Sequence, residues 1–118
     1  MSISVKTENV STPSPVRVEM TDASGAHVEL VLLVGDQKPI RHAFDTTEGT
    51  ISAPLHRLRR GDHPCTLVVL ALTHKDNPNG RYDVSVKVNG QPAASANGKI
   101  PAGRGNDTGR GDFVLSVL

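Results

Sequence analysis

Short runs rich in Val, Leu and Thr alternate along this chain with groups of turn-forming residues, and this alternation most constrains its fold. Such runs are typical of β-strands, and the turn signals between them are typical of strand connections. The run 81–88 alternates strictly, so its apolar side chains share one face and its polar side chains share the other. No long stretch combines a helical hydrophobic period with helix caps. The pattern therefore predicts an all-β protein.

Turn motifs predict how several of these runs pair. The motif NPNG, with Pro at the second turn position and a final Gly, predicts a hairpin between 65–75 and 81–88. Asn89-Gly90 is a strong two-residue hairpin signal and predicts that 81–88 also pairs with 91–97. The three runs would then form a meander.

Two stretches of the chain are apolar on both faces, which is typical of central strands that are flanked or covered on both sides. They are LVLLV at 30–34 and TLVVLAL at 66–72. Gly35-Asp36 directly follows the first of them and predicts another hairpin.

About eight short strands in a chain of 118 residues predict one domain, 1–118, with the fold of an antiparallel β-sandwich, either Ig-like or jelly-roll-like. We expect residues 1–13 to form a flexible N-terminal arm. The segment 98–111, GKIPAGRGNDTGRG, is expected to be a long glycine-rich loop.

Composition argues against several functions. The formal net charge is +1, and the charged residues are scattered, so we expect neither nucleic acid nor membrane as a partner. The chain has one cysteine, Cys65, which excludes an intramolecular disulfide. No basic leader or apolar span is present, which predicts a protein that is cytoplasmic or is secreted without a cleaved leader. The common hydrolase, nucleotide-binding and metalloprotease motifs are absent, so we do not expect an enzyme.

The tripeptide Arg-Gly-Asp occurs twice, once as Arg60, Gly61 and Asp62 and once as Arg110, Gly111 and Asp112. It resembles the recognition tripeptide of integrin ligands, in which the Asp carboxylate completes a metal site on the receptor. The resemblance covers three residues and implies no fold. Alternatively, both copies are turns whose charged side chains keep the tips soluble. The predicted topology places the copies at opposite ends of the sandwich, as separate features.

The same topology brings turn 76–80 and segment 98–112 to one end of the molecule, where binding residues of β-scaffolds tend to lie. The candidate binding residues are Arg104, Asn106, Asp107, Arg110, Gly111, Asp112, Asp76 and Asn79. A second, weaker candidate consists of Arg60, Gly61 and Asp62.

We therefore expect a non-enzymatic binding or adhesion module, monomeric or weakly oligomeric, whose partner is another protein or a cell-surface ligand. We expect no cofactor and no protein-bound metal. One alternative is a structural or assembly subunit that acts through its strand edges, although Pro39, Pro92 and Lys87 would discourage open-ended pairing. A further alternative is calcium-dependent carbohydrate binding through the Asp and Asn oxygens of the loop end. The absence of Trp and the presence of only one Tyr count against sugar stacking.

Overall fold

The computed structural model describes residues 2–5, 16–23, 26–35, 37–45, 49–55, 58–72, 80–100 and 105–118. These residues form nine strands and no helix, which confirms the predicted all-β sandwich. The strands are β1 (Ser2–Val5), β2 (Arg17–Asp22), β3 (His27–Val34), β4 (Ile40–Asp45), β5 (Gly49–Pro54), β6 (Gly61–Leu72), β7 (Arg81–Val88), β8 (Gln91–Lys99) and β9 (Asn106–Val117).

The strands form two packed sheets. One has five strands in the order β1-β9-β6-β3-β4, and the other has four in the order β5-β2-β7-β8. Neighbouring strands are antiparallel except β1 and β9, which are parallel. The two runs that are apolar on both faces lie in β3 and β6, which are interior strands of the five-stranded sheet as predicted.

The core lies between the sheets and consists of the inward side chains of alternating positions. In β7 the apolar residues are buried, with Val84 and Val88 at 0% exposure, while Asp83 and Lys87 on the other face are exposed. The facing strands contribute aliphatic side chains such as Leu67, which is also fully buried. The face assignment made from the alternation of 81–88 is therefore confirmed.

Two predicted hairpins are confirmed. Asn89 and Gly90 have φ values of 48° and 80°, as a tight turn between β7 and β8 requires. Gly35 has a φ of 51°, and the Gln37 amide donates to the Val34 carbonyl at 2.9 Å, which closes the turn from β3 towards β4.

The predicted hairpin between β6 and β7 is wrong, because the two strands lie in opposite sheets. β6 pairs with β3 and β9, whereas β7 pairs with β2 and β8. Only the second half of the expected meander exists. This pairing also corrects the edge assignment of Lys87, which lies on the interior strand β7, while Pro92 lies on the edge strand β8 beside a register shift.

The segment 98–111 is not one long loop. β8 continues to Lys99 and β9 begins at Asn106, so most of the segment is extended and hydrogen-bonded to a neighbouring strand. Residues 101–104 lie outside the described part of the chain. Part of the expected N-terminal arm is a strand, because Ser2–Val5 form β1. The rest of 1–13 lies outside the described residues.

Candidate functional site

The candidate site is the surface that β9, β6, β3 and β4 turn away from the core, which we call the outer face. Directly opposed residues of neighbouring strands point to the same side of a sheet, so the strand register gives the rows of this surface. One row consists of Arg110, Val68, Val31 and Arg41. The next row consists of Asp112, Thr66 and Leu33.

The middle of the outer face is apolar. Val68 and Leu33 are 41% and 40% exposed although both lie on interior strands. Val31 and Leu70 lie beside them and are half-buried. Strands β3 and β6 are therefore flanked on both sides but covered on only one face. Their apolar outward residues form a continuous exposed strip, which is a feature of interaction surfaces.

A preformed ion pair borders this strip on β9. The Arg110 Nε lies 3.3 Å and 3.2 Å from the two carboxylate oxygens of Asp112, and Nη2 lies 3.2 Å from Oδ1. The Thr66 hydroxyl donates to Asp112 Oδ1 at 2.7 Å. The hydrogen bond from Thr66 and the neighbouring Arg110 hold the pKa of Asp112 below its usual value.

The ion pair is accessible to a partner. The side chains of Arg110 and Asp112 are 69% and 58% exposed, so solvent screens their attraction. Such a pair contributes little to folding, and its two groups can be redirected to an incoming partner at small cost.

The second Arg-Gly-Asp copy is part of a strand and is not a turn. It lies within β9, where Gly111 pairs with Leu67 of β6 and points into the sandwich. A Cβ at Gly111 would lie 2.9 Å from the Ser95 carbonyl oxygen and 3.2 Å from the Ala94 Cβ on β8. The glycine thus permits a close approach of β9 and β8 across the two sheets.

Asp107 also points inward. Its Oδ2 accepts a hydrogen bond of 2.7 Å from the hydroxyl of Tyr82, which is 2% exposed. Burial and the neighbouring carboxylate raise the pKa of Tyr82 to about 12. Asp107 therefore has a structural partner in the core. Of the predicted loop-end residues, Arg110, Asp112 and the exposed Asn106 lie on the outer side of β9, whereas Asp107 and Gly111 face inward.

Arg104, Asp76 and Asn79, the other predicted loop-end residues, lie outside the described part of the chain. The expected convergence of turn 76–80 with segment 98–112 thus stays a prediction.

The first Arg-Gly-Asp copy lies at the beginning of β6. Gly61 has a φ of 121°, and Asp62 accepts a hydrogen bond of 2.7 Å from the Ser116 hydroxyl. The strand register puts Asp62 opposite Ser116 and Asp112 opposite Thr66. The two Asp residues are therefore about 13 Å apart along neighbouring strands of the same sheet. The two copies are therefore not at opposite ends of the molecule, as the sequence had predicted. Their Asp residues are nevertheless too far apart to bind one ion.

The imidazole ring of His27 contacts two carboxylates. Its Nδ1 lies 3.1 Å from Asp45 Oδ1, and its Nε2 lies 3.4 Å from Glu29 Oε1. The hydrogen bond to Asp45 is the main reason that the pKa of His27 is raised above 6.5. Within the described ranges, no group of three or more His, Cys, Asp or Glu residues could hold a metal ion.

Cys65 is buried at 2% exposure, and desolvation raises the pKa of its thiol to about 11. A thiol of this kind is protonated at neutral pH and behaves as a small apolar core residue.

A cavity of about 350 Å³ lies beside the second Arg-Gly-Asp copy. Its lining comes from 85–87 of β7, 92–95 of β8, and Gly111 and Asp112 of β9. The register shift between β7 and β8 lies at this position, because Val86 pairs with Ala94 and Lys87 pairs with Pro92, which makes Ala93 the extra residue of a β-bulge.

No protein-family model, curated protein or solved structure matches this chain. In the part of the chain that the structure describes, no helix is long and apolar enough to cross a membrane. The outer face is therefore assigned from its own geometry. The sequence signal that points to it is the pair of runs that are apolar on both faces, since a two-layer sandwich buries only one face of each sheet.

Proposed function

We propose that this protein is a non-enzymatic binding module that contacts another protein through the outer face of its five-stranded sheet. The observation that carries the proposal is the exposure of Leu33 and Val68, at 40% and 41%, on adjacent interior strands. Large apolar side chains in the middle of a sheet are normally covered, and an exposed strip of them is typical of an interface.

The chemistry of the surface favours a protein partner. An apolar centre with a polar and charged border is the usual anatomy of a protein interface. Here Arg110, Asp112, Arg41 and Glu29 border the strip. The surface is an extended sheet face that carries charges of both signs, so it favours neither a small buried ligand nor a polyanion.

The experiment compares Leu33→Lys/Val68→Lys with the matched control Ser85→Lys/Ser95→Lys, which also adds two lysines, at opposed positions on the outer side of the other sheet. Proteins captured from an extract of the producing cells are quantified for both variants and for the wild type. We expect the proteins bound by the wild type and the control to be lost with the Leu33→Lys/Val68→Lys variant. An unchanged set of captured proteins, with thermal unfolding intact, would contradict the proposal.

A second candidate function is assembly through a strand edge, and one observation favours it. β1 pairs only with 114–117 of β9, so no described strand is paired in a ladder with 107–113 on the side away from β6. An open edge of this kind can accept a strand from another molecule. Amide hydrogen exchange distinguishes this candidate from binding through the outer face. Added-strand assembly would protect every second amide of 107–113, namely those whose N–H groups point away from β6, whereas contact with side chains leaves these edge amides exchanging.

A further inference from the structure

We infer that the outer face binds a second copy of this chain, forming a weak symmetric dimer in which the Arg110 and Asp112 side chains exchange partners between copies. This inference rests on the proposed function, because it uses the same surface. It adds the identity of the partner and the relative orientation of the two sheets.

Symmetry limits how two copies of this face can meet. In a two-fold dimer of facing sheets, the axis lies in the plane of the interface, and if the strands of the two copies are aligned, it runs either along them or across them. An axis along the strands, between β6 and β3, places Arg110 of one copy opposite Arg41 of the other. Like charges facing each other oppose association.

An axis across the strands gives the opposite result. If this axis lies between the row of Val68 and the row of Thr66, the Val68 row of each copy faces the Thr66 row of the other copy. Arg110 then faces Asp112 of the second copy, and the reciprocal pair forms on the other side of the axis. The two residues are about 6.7 Å apart along β9, so the guanidinium can reach the facing carboxylate by a change of rotamer. Charge complementarity therefore selects this orientation.

The same axis also matches the apolar groups. Val31 of one copy meets Leu33 of the other, and the half-buried Leu70 meets Pro64. Both exposed apolar side chains identified above are thus covered in the dimer.

The available area predicts the strength of association. Four strands about 4.8 Å apart and four rows about 6.7 Å apart cover about 500 Å² on each copy. The dimer therefore buries about 1,000 Å² in total, at the lower limit for a specific interface. We expect a reversible dimer that dissociates in the micromolar range or above rather than a permanent one.

Charge reversal tests the exchange directly. Arg110→Asp leaves a chain with two carboxylates at this place, and Asp112→Arg leaves a chain with two guanidinium groups. Each single variant then faces like charges in its own dimer, and we expect the dissociation constant to rise by about tenfold or more. The double variant Arg110→Asp/Asp112→Arg restores opposite charges and should associate as the wild type does.

Mixing the two single variants gives the most specific result. Each is expected to be mainly monomeric alone, at 12.5 kDa, while the mixture should form a heterodimer. Sedimentation velocity over concentrations from about 10 µM to about 1 mM covers the range expected for a small interface. Because both variants must be folded for the mixture to associate, this experiment also controls for misfolding.

A wild-type chain that stays monomeric at about 1 mM would overturn the inference. A dimer that is unaffected by the single charge reversals and by Leu33→Lys/Val68→Lys would overturn it as well, because association would then use another surface. A monomeric wild type that still captures another protein in a manner sensitive to Leu33→Lys/Val68→Lys would leave the proposed function standing and remove only the dimer.

Discussion

Gly111 gives the sharpest test of the packing between β9 and β8. Its backbone does not have a positive φ, so Ala can adopt the same conformation, and this substitution alone would stabilise by about 0.4–1 kcal/mol through the unfolded chain. The new Cβ would, however, lie 2.9 Å from the carbonyl oxygen of Ser95, a backbone atom that cannot rotate away. Overpacking of this kind costs about 1–3 kcal/mol. We expect Gly111→Ala to lower the free energy of unfolding by about 1–2 kcal/mol.

Gly49→Ala is the matched control. The backbone of Gly49 also lacks a positive φ, and its nearest neighbour is the edge of the Phe44 ring at 3.3 Å, which can shift. We expect this variant to lie within about 0.5 kcal/mol of the wild type. Equilibrium unfolding in urea measures both, with the midpoint shifting and the slope unchanged. If Gly111→Ala proved as stable as Gly49→Ala, β9 and β8 would be farther apart than described, and the reason given for this glycine would be wrong.

Three other experiments test the core, the contacts of His27 and the thiol of Cys65. Val84→Asp should prevent folding, because it buries an unpaired carboxylate at a cost of several kcal/mol. Ser85→Asp on the opposite face should change the free energy of unfolding by less than about 1 kcal/mol. Circular dichroism with thermal unfolding distinguishes the two variants, and equal destabilisation would refute the face assignment. Protonated His27 is stabilised by the carboxylates of Asp45 and Glu29, so this stabilisation is complete below pH 6.5 and is lost as the pH rises through the higher folded-state pKa. His27→Gln should remove that part of the pH dependence of the free energy of unfolding. An unchanged pH profile would contradict this prediction. Cys65 should react with an aromatic disulfide reagent only as fast as the protein opens, so rapid reaction of the native protein would show that the thiol is not buried.

Local patterns predicted those parts of the fold that depend on neighbouring residues. The alternation around Val84 identified a strand with one buried face, and the Asn89-Gly90 pair identified the turn that follows it. These features arise from the side-chain period of a strand and from the positive φ that the turn requires. Both are visible in a window of a few residues.

The pairing of β6 could not be predicted in the same way. The NPNG motif indicates that the chain turns there, but a turn signal does not specify which sheet the next strand joins. β6 is 12 residues long and pairs along its length with β9, from Gly61 opposite Val117 to Leu72 opposite Asn106. Partners this distant in sequence are chosen by the packing of the whole sandwich.

The segment around Gly109 and Gly111 shows tertiary packing overriding local preference. Gly, Asn and Asp are depleted in strands, so the composition of GRGNDTGRGD favoured a loop. In the folded protein, both glycines alternate with outward polar residues and face the other sheet at short distance, Gly109 against β7 and β8 and Gly111 against β8. The proximity of β8 could not be known from the segment itself. For the same reason, the apolar outward residues of β3 and β6 suggested a covered sheet, because the sequence does not say whether a second layer exists outside them.

The strand order also divides the chain into two equivalent halves. In the first, the hairpin β3–β4 lies in one sheet while the flanking strands β2 and β5 pair in the other; in the second, the hairpin β7–β8 and the flanking strands β6 and β9 repeat this plan with the sheets exchanged. The halves meet in two seams, β2 with β7 and β3 with β6, and β1 from the first half crosses over to β9. Neither sheet can therefore form from one half alone, and the sandwich should melt as a single cooperative unit. If the chain were cut between β5 and β6, each half would keep its own paired strands. The two fragments could then reassemble through the pairs β2–β7 and β3–β6, with β1 of the first fragment pairing with β9 of the second.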